Sequence, residues 1–170
     1  MPFIELPIVW VVLLDAVAWT FFHLAISFWT VRISFNWFVR HERLFHTFRF
    51  ERQGDLWQQF FRVKRWKQLI PDGTMFIKNG YNKQSLHGND LSSLDEFIIE
   101  SRRAELTHWL SIIPAALFFL WNPLWASWLN VAYAVLFNGP IIIAQRYNRP
   151  RLERLVARKR NKPQAESFIR

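Results

Sequence analysis

Apolar positions along this chain are gathered into blocks. From Leu6 to Val31 the only charged residue is Asp15, with His23 as the other titratable group, and from Trp109 to Ala144 there is no charged residue. Runs of about 20 apolar residues cross a bilayer as helix, so the first block predicts a transmembrane helix over 6–31. The second, 109–145, predicts a hairpin that crosses and returns, turning at Asn122-Pro123 because proline disfavours helix at the residue before it. Its first arm, Trp109 to Trp121, has 13 residues. At about 1.5 Å per residue that is roughly 20 Å, short of the roughly 30 Å hydrocarbon core. Either the arm begins earlier or the hairpin is re-entrant.

Between these blocks, 32–108 reads as an interfacial, mostly cytoplasmic segment. Asp55–Ile70 predicts a helix with Leu56, Phe60, Val63 and Ile70 on one side, ended by the turn chemistry of Pro71-Asp72-Gly73. Residues 74–93 read as a polar loop. A helix resumes at Leu94, and at about 100° per residue it carries Ser101, Glu105, His108 and Ile112 on one arc, with Ile99, Leu106, Leu110 and Ile113 opposite. Pro114 is a kink point, and Asn138-Gly139-Pro140 predicts a break inside the last span. The tail, 146–170, reads as a basic cytoplasmic helix followed by disorder. The expected fold is all-α: a single membrane-embedded domain over 1–170, with an N-terminal transmembrane helix, an interfacial cytoplasmic segment and a C-terminal transmembrane hairpin.

Composition sharpens the membrane reading. The chain is 51% hydrophobic and 21% charged, with ten Trp. Trp10, Trp29, Trp37, Trp109, Trp121 and Trp125 stand near the ends of the apolar runs, as in an interfacial aromatic belt. The net charge of +9 comes with no nucleic-acid motif, so nucleic acid is not an expected partner; anionic lipid head groups account for the same charge. No Lys or Arg precedes Arg32, 13 lie between Arg32 and Arg103, and 9 lie from Arg146 onward. Cytoplasmic flanks collect these residues. The N-terminus is therefore expected outside, the middle segment and tail inside, in a multi-pass membrane protein. A cleaved signal peptide fits poorly, because Glu5 and no Lys or Arg precede a run that is too long. The absence of cysteine excludes disulfides, thiol nucleophiles and cysteine–zinc sites.

Chemistry concentrates where charge meets the apolar blocks, since charge at membrane depth is costly unless it anchors the protein or lines a polar cavity. Glu105 and His108 stand at i, i+3 on one helix face; a carboxylate that orients an imidazole suits a general base. The bland alternative is an interfacial histidine beside a local acid. Asn138, before Gly139-Pro140, reads as a buried amide donor to an oxyanion or as a helix-break residue. Arg146, Arg149 and Arg151 offer forked guanidiniums to phosphates or a carboxylate, with the amide of Asn148 beside them, against plain positive-inside anchoring. Glu100 and Arg103 read as a structural ion pair, Arg102 as a head-group anchor, Arg62–Lys67 as a membrane-surface patch and Asp72 as a turn former. Asp15 and His23 are close enough along the first span to pair, without an assigned role. No Gly-x-Ser-x-Gly elbow, P-loop, dinucleotide fingerprint or His-x4-Asp motif occurs, and His41-Glu42-Arg43-Leu44-Phe45-His46 has its histidines five apart, one too many for a zinc-protease helix. No metal site or resident cofactor is expected.

Three blocks bear a family resemblance: Phe48-Arg49-Phe50-Glu51 through Trp66-Lys67 and Asp72-Gly73; Ile98-Ile99-Glu100-Ser101-Arg102-Arg103-Ala104-Glu105-Leu106-Thr107-His108-Trp109 with Ile113-Pro114; and Asn138 with Pro140-Ile141-Ile142-Ile143 and Gln145-Arg146-Tyr147-Asn148-Arg149-Pro150-Arg151-Leu152. They resemble the glycosyl-4,4'-diaponeurosporenoate acyltransferases, enzymes of the last step of staphyloxanthin-type carotenoid biosynthesis. The resemblance implies esterification of a fatty acid onto the primary 6-hydroxyl of a glucose carried by a C30 carotenoid acid. It implies a lipid-soluble glycosylated carotenoid and an acyl donor such as acyl-CoA as substrates, membrane lipid as surroundings, and association with other carotenoid-pathway enzymes. The residue roles rest on the residues themselves: His108 as base, Glu105 orienting it, Asn138 at the oxyanion, and Arg146, Asn148 and Arg149 on the donor phosphates. Two rivals stand beside this reading. One is another small enzyme acting on isoprenoid lipids, a reductase or methyltransferase, and the other a membrane scaffold without catalysis.

Overall fold

The computed structural model describes residues 6–67 and 91–167. Asp72, His87 and the expected loop over 74–90 lie outside the described residues. Among those described, the regular elements are all helical: α1 (Ile8–Val31), α2 (Phe35–Arg40), α3 (Asp55–Phe61), α4 (Val63–Trp66), α5 (Leu91–Ile112) and α6 (Leu124–Ser167), with 3-10 segments at Glu42–Phe45, Arg49–Gly54 and Ile113–Leu120. The all-α expectation holds. Two of the helices, α1 and the 124–161 portion of α6, are long and apolar enough to cross a membrane. The chain divides into two compact units: 1–34 with 104–142, and 35–103 with 143–170.

In the first unit α1 is apolar on nearly all sides. Its 24 residues reach about 36 Å at 1.5 Å each, enough for the hydrocarbon core. The unit's core is small and aromatic: Trp19, Ala115, Phe118 and Ala134 are buried together, with Phe22, Ile112 and Val131 against them. Trp19 stacks on Phe118 with ring centroids 4.6 Å apart. Outward-facing side chains such as Val9, Phe21, Leu24, Leu129 and Leu136 are large, apolar and exposed. Pro114 marks the change from α to 3-10 winding, as expected where a proline removes an N–H from the ladder. The chain then turns at 121–123, where the N–H of Asn122 reaches the Phe118 carbonyl at 3.0 Å.

Asp15 departs from the expected pairing with His23. Its Oδ1 accepts from Trp121 Nε1 at 2.7 Å and Asn122 Nδ2 at 2.8 Å, and its Oδ2 accepts from Asn130 Nδ2 at 2.9 Å. His23 lies against the rings of Trp19 and Phe137. Asp15 thus ties α1 to the turn and to α6 through neutral donors, a tertiary choice that spacing along one helix does not reveal.

The expected break at Asn138-Gly139-Pro140 is absent. α6 continues through all three residues and on through the basic stretch. A mid-helix proline costs one hydrogen bond and crowds the preceding turn, yet the helix persists.

In the second unit, Leu94, Ile98 and Val156 form a core with Leu91 and Leu152 packed on it. The helix expected over Asp55–Ile70 is interrupted. Arg62 takes a left-handed conformation (φ 49°, ψ 45°) and separates α3 from α4, while the Gln58 side-chain carbonyl accepts the N–H of Lys64 at 3.0 Å. A second left-handed run, Arg52, Gln53 and Gly54, precedes α3. Gly54 has φ +90°, and a Cβ there would stand 3.0 Å from the carbonyl oxygens of both Arg146 and Tyr147. Only glycine meets both demands without cost.

Candidate active site

His108 stands near the C-terminal end of α5 and Asn138 in the middle of α6, both in the first unit. The Nδ1 of His108 lies 2.8 Å from Oδ1 of Asn138. Asn138 is fully buried, and its Nδ2 donates to the Ala134 carbonyl at 2.8 Å, which turns its Oδ1 toward the imidazole. A carbonyl oxygen only accepts, so Nδ1 carries the proton. In the neutral ring that leaves the lone pair on Nε2. The arrangement is a half-buried histidine held in one tautomer, the form a general base needs.

Asn138 therefore meets the histidine ring rather than lying apart from it at an oxyanion position. Glu105 is expected to orient the imidazole, and the structure adds a bond from Nδ1 to Asn138. Glu105 is itself buried, and its Oε1 accepts from Trp109 Nε1 at 3.4 Å. Two hydroxyls not singled out from the sequence belong to the same unit. Thr107 donates to Thr30 Oγ1 at 2.8 Å, and Ser111 donates to the Thr107 carbonyl at 2.8 Å. Thr30 is buried and also bonds to the Ile26 carbonyl at 2.9 Å. These contacts join α1 to α5 next to His108 in the chain. Threonines in an apolar helix are too common for their pattern to have marked them.

The arginine cluster belongs to the second unit and is largely buried. Arg146 grips Glu51 with a fork, Nε to Oε1 at 2.6 Å and Nη2 to Oε2 at 2.8 Å. Glu51 also accepts from the Phe48 N–H at 2.8 Å and from Trp57 Nε1 at 3.2 Å. Arg149 is almost fully buried and donates through Nη2 to the Phe45 carbonyl. These guanidiniums hold the irregular 45–57 segment against α6, which differs from the open phosphate grip expected of them. Glu51 stands in a string quoted for the resemblance but drew no role of its own, because that role depends on a partner 95 residues away. Glu100 and Arg103 form the expected i, i+3 ion pair. Arg102 is not a head-group anchor: it is buried, donating to the Phe38 carbonyl at 3.2 Å and to Glu153 at 3.3 Å.

Asn148 remains half-buried, its Oδ1 accepting from Lys67 Nζ at 2.9 Å. Burial, then the nearby charges of Arg151 and Lys64, push the Lys67 ammonium below its usual range. A cation disfavoured by like charges is a natural attractor for an anion. Among the described residues, no set of three His, Asp or Glu side chains is placed to hold a metal ion.

A family model described as glycosyl-4,4'-diaponeurosporenoate acyltransferase matches residues 41–158. The glycosyl-4,4'-diaponeurosporenoate acyltransferase of Staphylococcus haemolyticus (strain JCSC1435) is 40% identical over 141 residues, covering 83% of this chain and 82% of that protein. The protein of the same name from Staphylococcus aureus (strain MRSA252) is 38% identical over 138 residues, covering 81% and 83%. No solved structure matches the chain. The family match spans most of the chain, including the His108–Asn138 pair and the Glu51–Arg146 pair, and the chain belongs to the glycosyl-4,4'-diaponeurosporenoate acyltransferase family and is an acyltransferase.

Proposed function

We propose that this enzyme transfers a fatty acyl group from a thioester donor such as acyl-CoA to the 6-hydroxyl of a glucose carried by a C30 carotenoid acid. Nε2 of His108 takes the proton of the hydroxyl as its oxygen attacks the thioester carbonyl. The tetrahedral intermediate collapses, the carbon–sulfur bond breaks, and the thiolate takes the proton back from the imidazolium. Asn138 holds Nδ1 throughout, keeping the ring in the tautomer and orientation that present Nε2. Glu105, one turn earlier on α5, favours the positive imidazolium as it forms. No cofactor enters this sequence.

One feature of the chain and one of the proposed substrates support membrane action. α1 and α6 are long and apolar enough to cross a bilayer, and a polyene tail and an acyl chain both dissolve there. We place the protein in a bacterial cell membrane as a multi-pass enzyme, beside other enzymes of carotenoid synthesis. In the second unit, Lys67 and Asn148 take the contact with donor phosphates, while Arg146 and Arg149 hold the 45–57 segment against α6.

The observation that carries the reading is the 2.8 Å bond between His108 Nδ1 and Asn138 Oδ1. It is tested by expressing the enzyme in a host that makes the glycosylated carotenoid and assaying the fatty-acyl ester by mass spectrometry. Wild type should form ester and His108→Ala should not, at equal protein level in the membrane fraction. Ester formation by His108→Ala at the wild-type rate would sink the mechanism.

A further inference from the structure

In the second unit, the segment 48–61 is turned inside out for a surface in water. Its Glu51 carboxylate is buried on Arg146, while Phe48, Phe50, Phe60 and Phe61 are between 48% and 74% exposed. Burying charge is costly, and so is leaving large apolar side chains in water. A short segment that does both has an apolar medium outside it. Exposed apolar groups of this kind mark contact with a partner or a membrane. The arrangement is also built. Phe48 stacks on Phe50 with ring centroids 5.4 Å apart, and Trp57 lies 6.0 Å from Phe61. Glu51 joins the two pairs, accepting from the Phe48 N–H and from Trp57 Nε1.

Charge decides what covers these rings. Arg43, Arg49, Arg52, Arg62, Lys64 and Arg65 are all exposed. The only carboxylates between 43 and 66 are Glu51, held by Arg146, and Asp55, held by Arg151. A second copy of this chain would set the same cations face to face, because a two-fold contact places a patch against itself. Anionic head groups over hydrocarbon meet both halves of the surface. The head groups attract Lys and Arg, and apolar side chains enter the acyl boundary beneath them.

We propose that 48–61 is a wedge that seats the second unit on an anionic bilayer surface, with Phe48, Phe50, Phe60 and Phe61 in the acyl boundary and Arg49, Arg52 and Arg62 on lipid phosphates. The sequence pattern set this contact on the basic run 62–67 and on an apolar side that includes Val63. Val63 is fully buried in the structure, and the exposed rings lie earlier in the chain. The proposal takes from the functional reading only that the chain sits in a membrane.

The chain has no cysteine, so single spin labels can be placed on the full-length protein in phosphatidylglycerol nanodiscs. Phe50→Cys and Phe60→Cys probe the wedge. Leu24→Cys, on an exposed side of α1, and Arg158→Cys, exposed on α6, are the references. Oxygen concentrates in hydrocarbon and a nickel chelate stays in water. Labels at 50 and 60 should meet oxygen severalfold more, and nickel severalfold less, than the label at 158. Replacing phosphatidylglycerol by phosphatidylcholine should shift both back toward nickel. Nickel access at 50 and 60 equal to that at 158, with the label at 24 in lipid, overturns the wedge and leaves the membrane placement standing. Nickel access at 24 as well sinks both. Spin–spin broadening at 50 and 60, with access to neither reagent, assigns the face to a second copy and overturns the lipid contact. The same oxygen access in both lipids overturns the part given to the cations.

Discussion

The imidazole of His108 and the amide of Asn138, 30 residues apart, share a 2.8 Å hydrogen bond in which the amide oxygen can only accept. The pair makes Nε2 the basic nitrogen whenever the ring is neutral. General acid–base groups contribute typically 10²–10⁴-fold, so His108→Ala should lower kcat by that order with the protein still in the membrane fraction. Asn138→Asp keeps an acceptor on Nδ1 and should retain more activity than Asn138→Ala. Equal activities for the two, at equal protein levels, would remove the orienting role.

Glu51 and Arg146 should act on stability before they act on binding. Breaking a buried ion pair by removing one partner costs about 3–5 kcal/mol. Glu51→Gln and Arg146→Ala should therefore both lower the midpoint of thermal unfolding in detergent. Arg146→Lys should rescue poorly, since an ammonium cannot reproduce the fork. A change confined to donor KM, with unaltered unfolding, would return Arg146 to the phosphate-binding role.

Gly54 offers a sharper structural test. Its φ of +90° strains any L side chain, and an alanine Cβ there would crowd two α6 carbonyl oxygens at 3.0 Å. Strained backbone of this kind costs on the order of 1–3 kcal/mol. Gly54→Ala should lower the unfolding midpoint and expose the 45–61 segment to limited proteolysis. Arg52→Gly and Gln53→Gly, which relieve left-handed strain at φ 48° and 55°, should be neutral or stabilising.

Lys67 gives a dependence on pH. Burial and the charges of Arg151 and Lys64 lower its pKa from 10.5. A group with a lowered pKa in the folded state binds fewer protons there than in the unfolded chain, so its unfavourable contribution fades as pH rises through that value. Anion binding behaves oppositely, because it needs the ammonium. The KM for a phosphate-bearing donor should rise with pH, from a midpoint below 10.5, and Lys67→Arg should flatten the rise. An identical pH profile in Lys67→Ala would place the donor elsewhere.

The charge distribution predicts topology. Single cysteines at Arg52 and Arg158, both exposed, should escape an impermeant thiol reagent in intact cells and react after lysis. Labelling of either in intact cells would contradict a cytoplasmic middle segment and tail.

Much of this protein was legible from local pattern. Two apolar blocks and flanking Lys and Arg determined a helical chain with spans near 6–31 and 124–144, because hydrophobic segregation and helical period are properties of neighbours in sequence. The positions of Glu105 and His108 on one arc followed from the same period, and quoted strings carried the family resemblance. Tertiary structure alone decided the partners. Asn138 meets His108, Glu51 meets Arg146, and Asp15 meets Asn130 rather than His23, because a buried polar group must find a donor or acceptor wherever the fold supplies one, and that place can be about 100 residues away. At Arg62 and Pro140 local propensity was no guide either: the helix breaks at the arginine, where the Gln58 side chain accepts the N–H of Lys64, and α6 runs on through the proline.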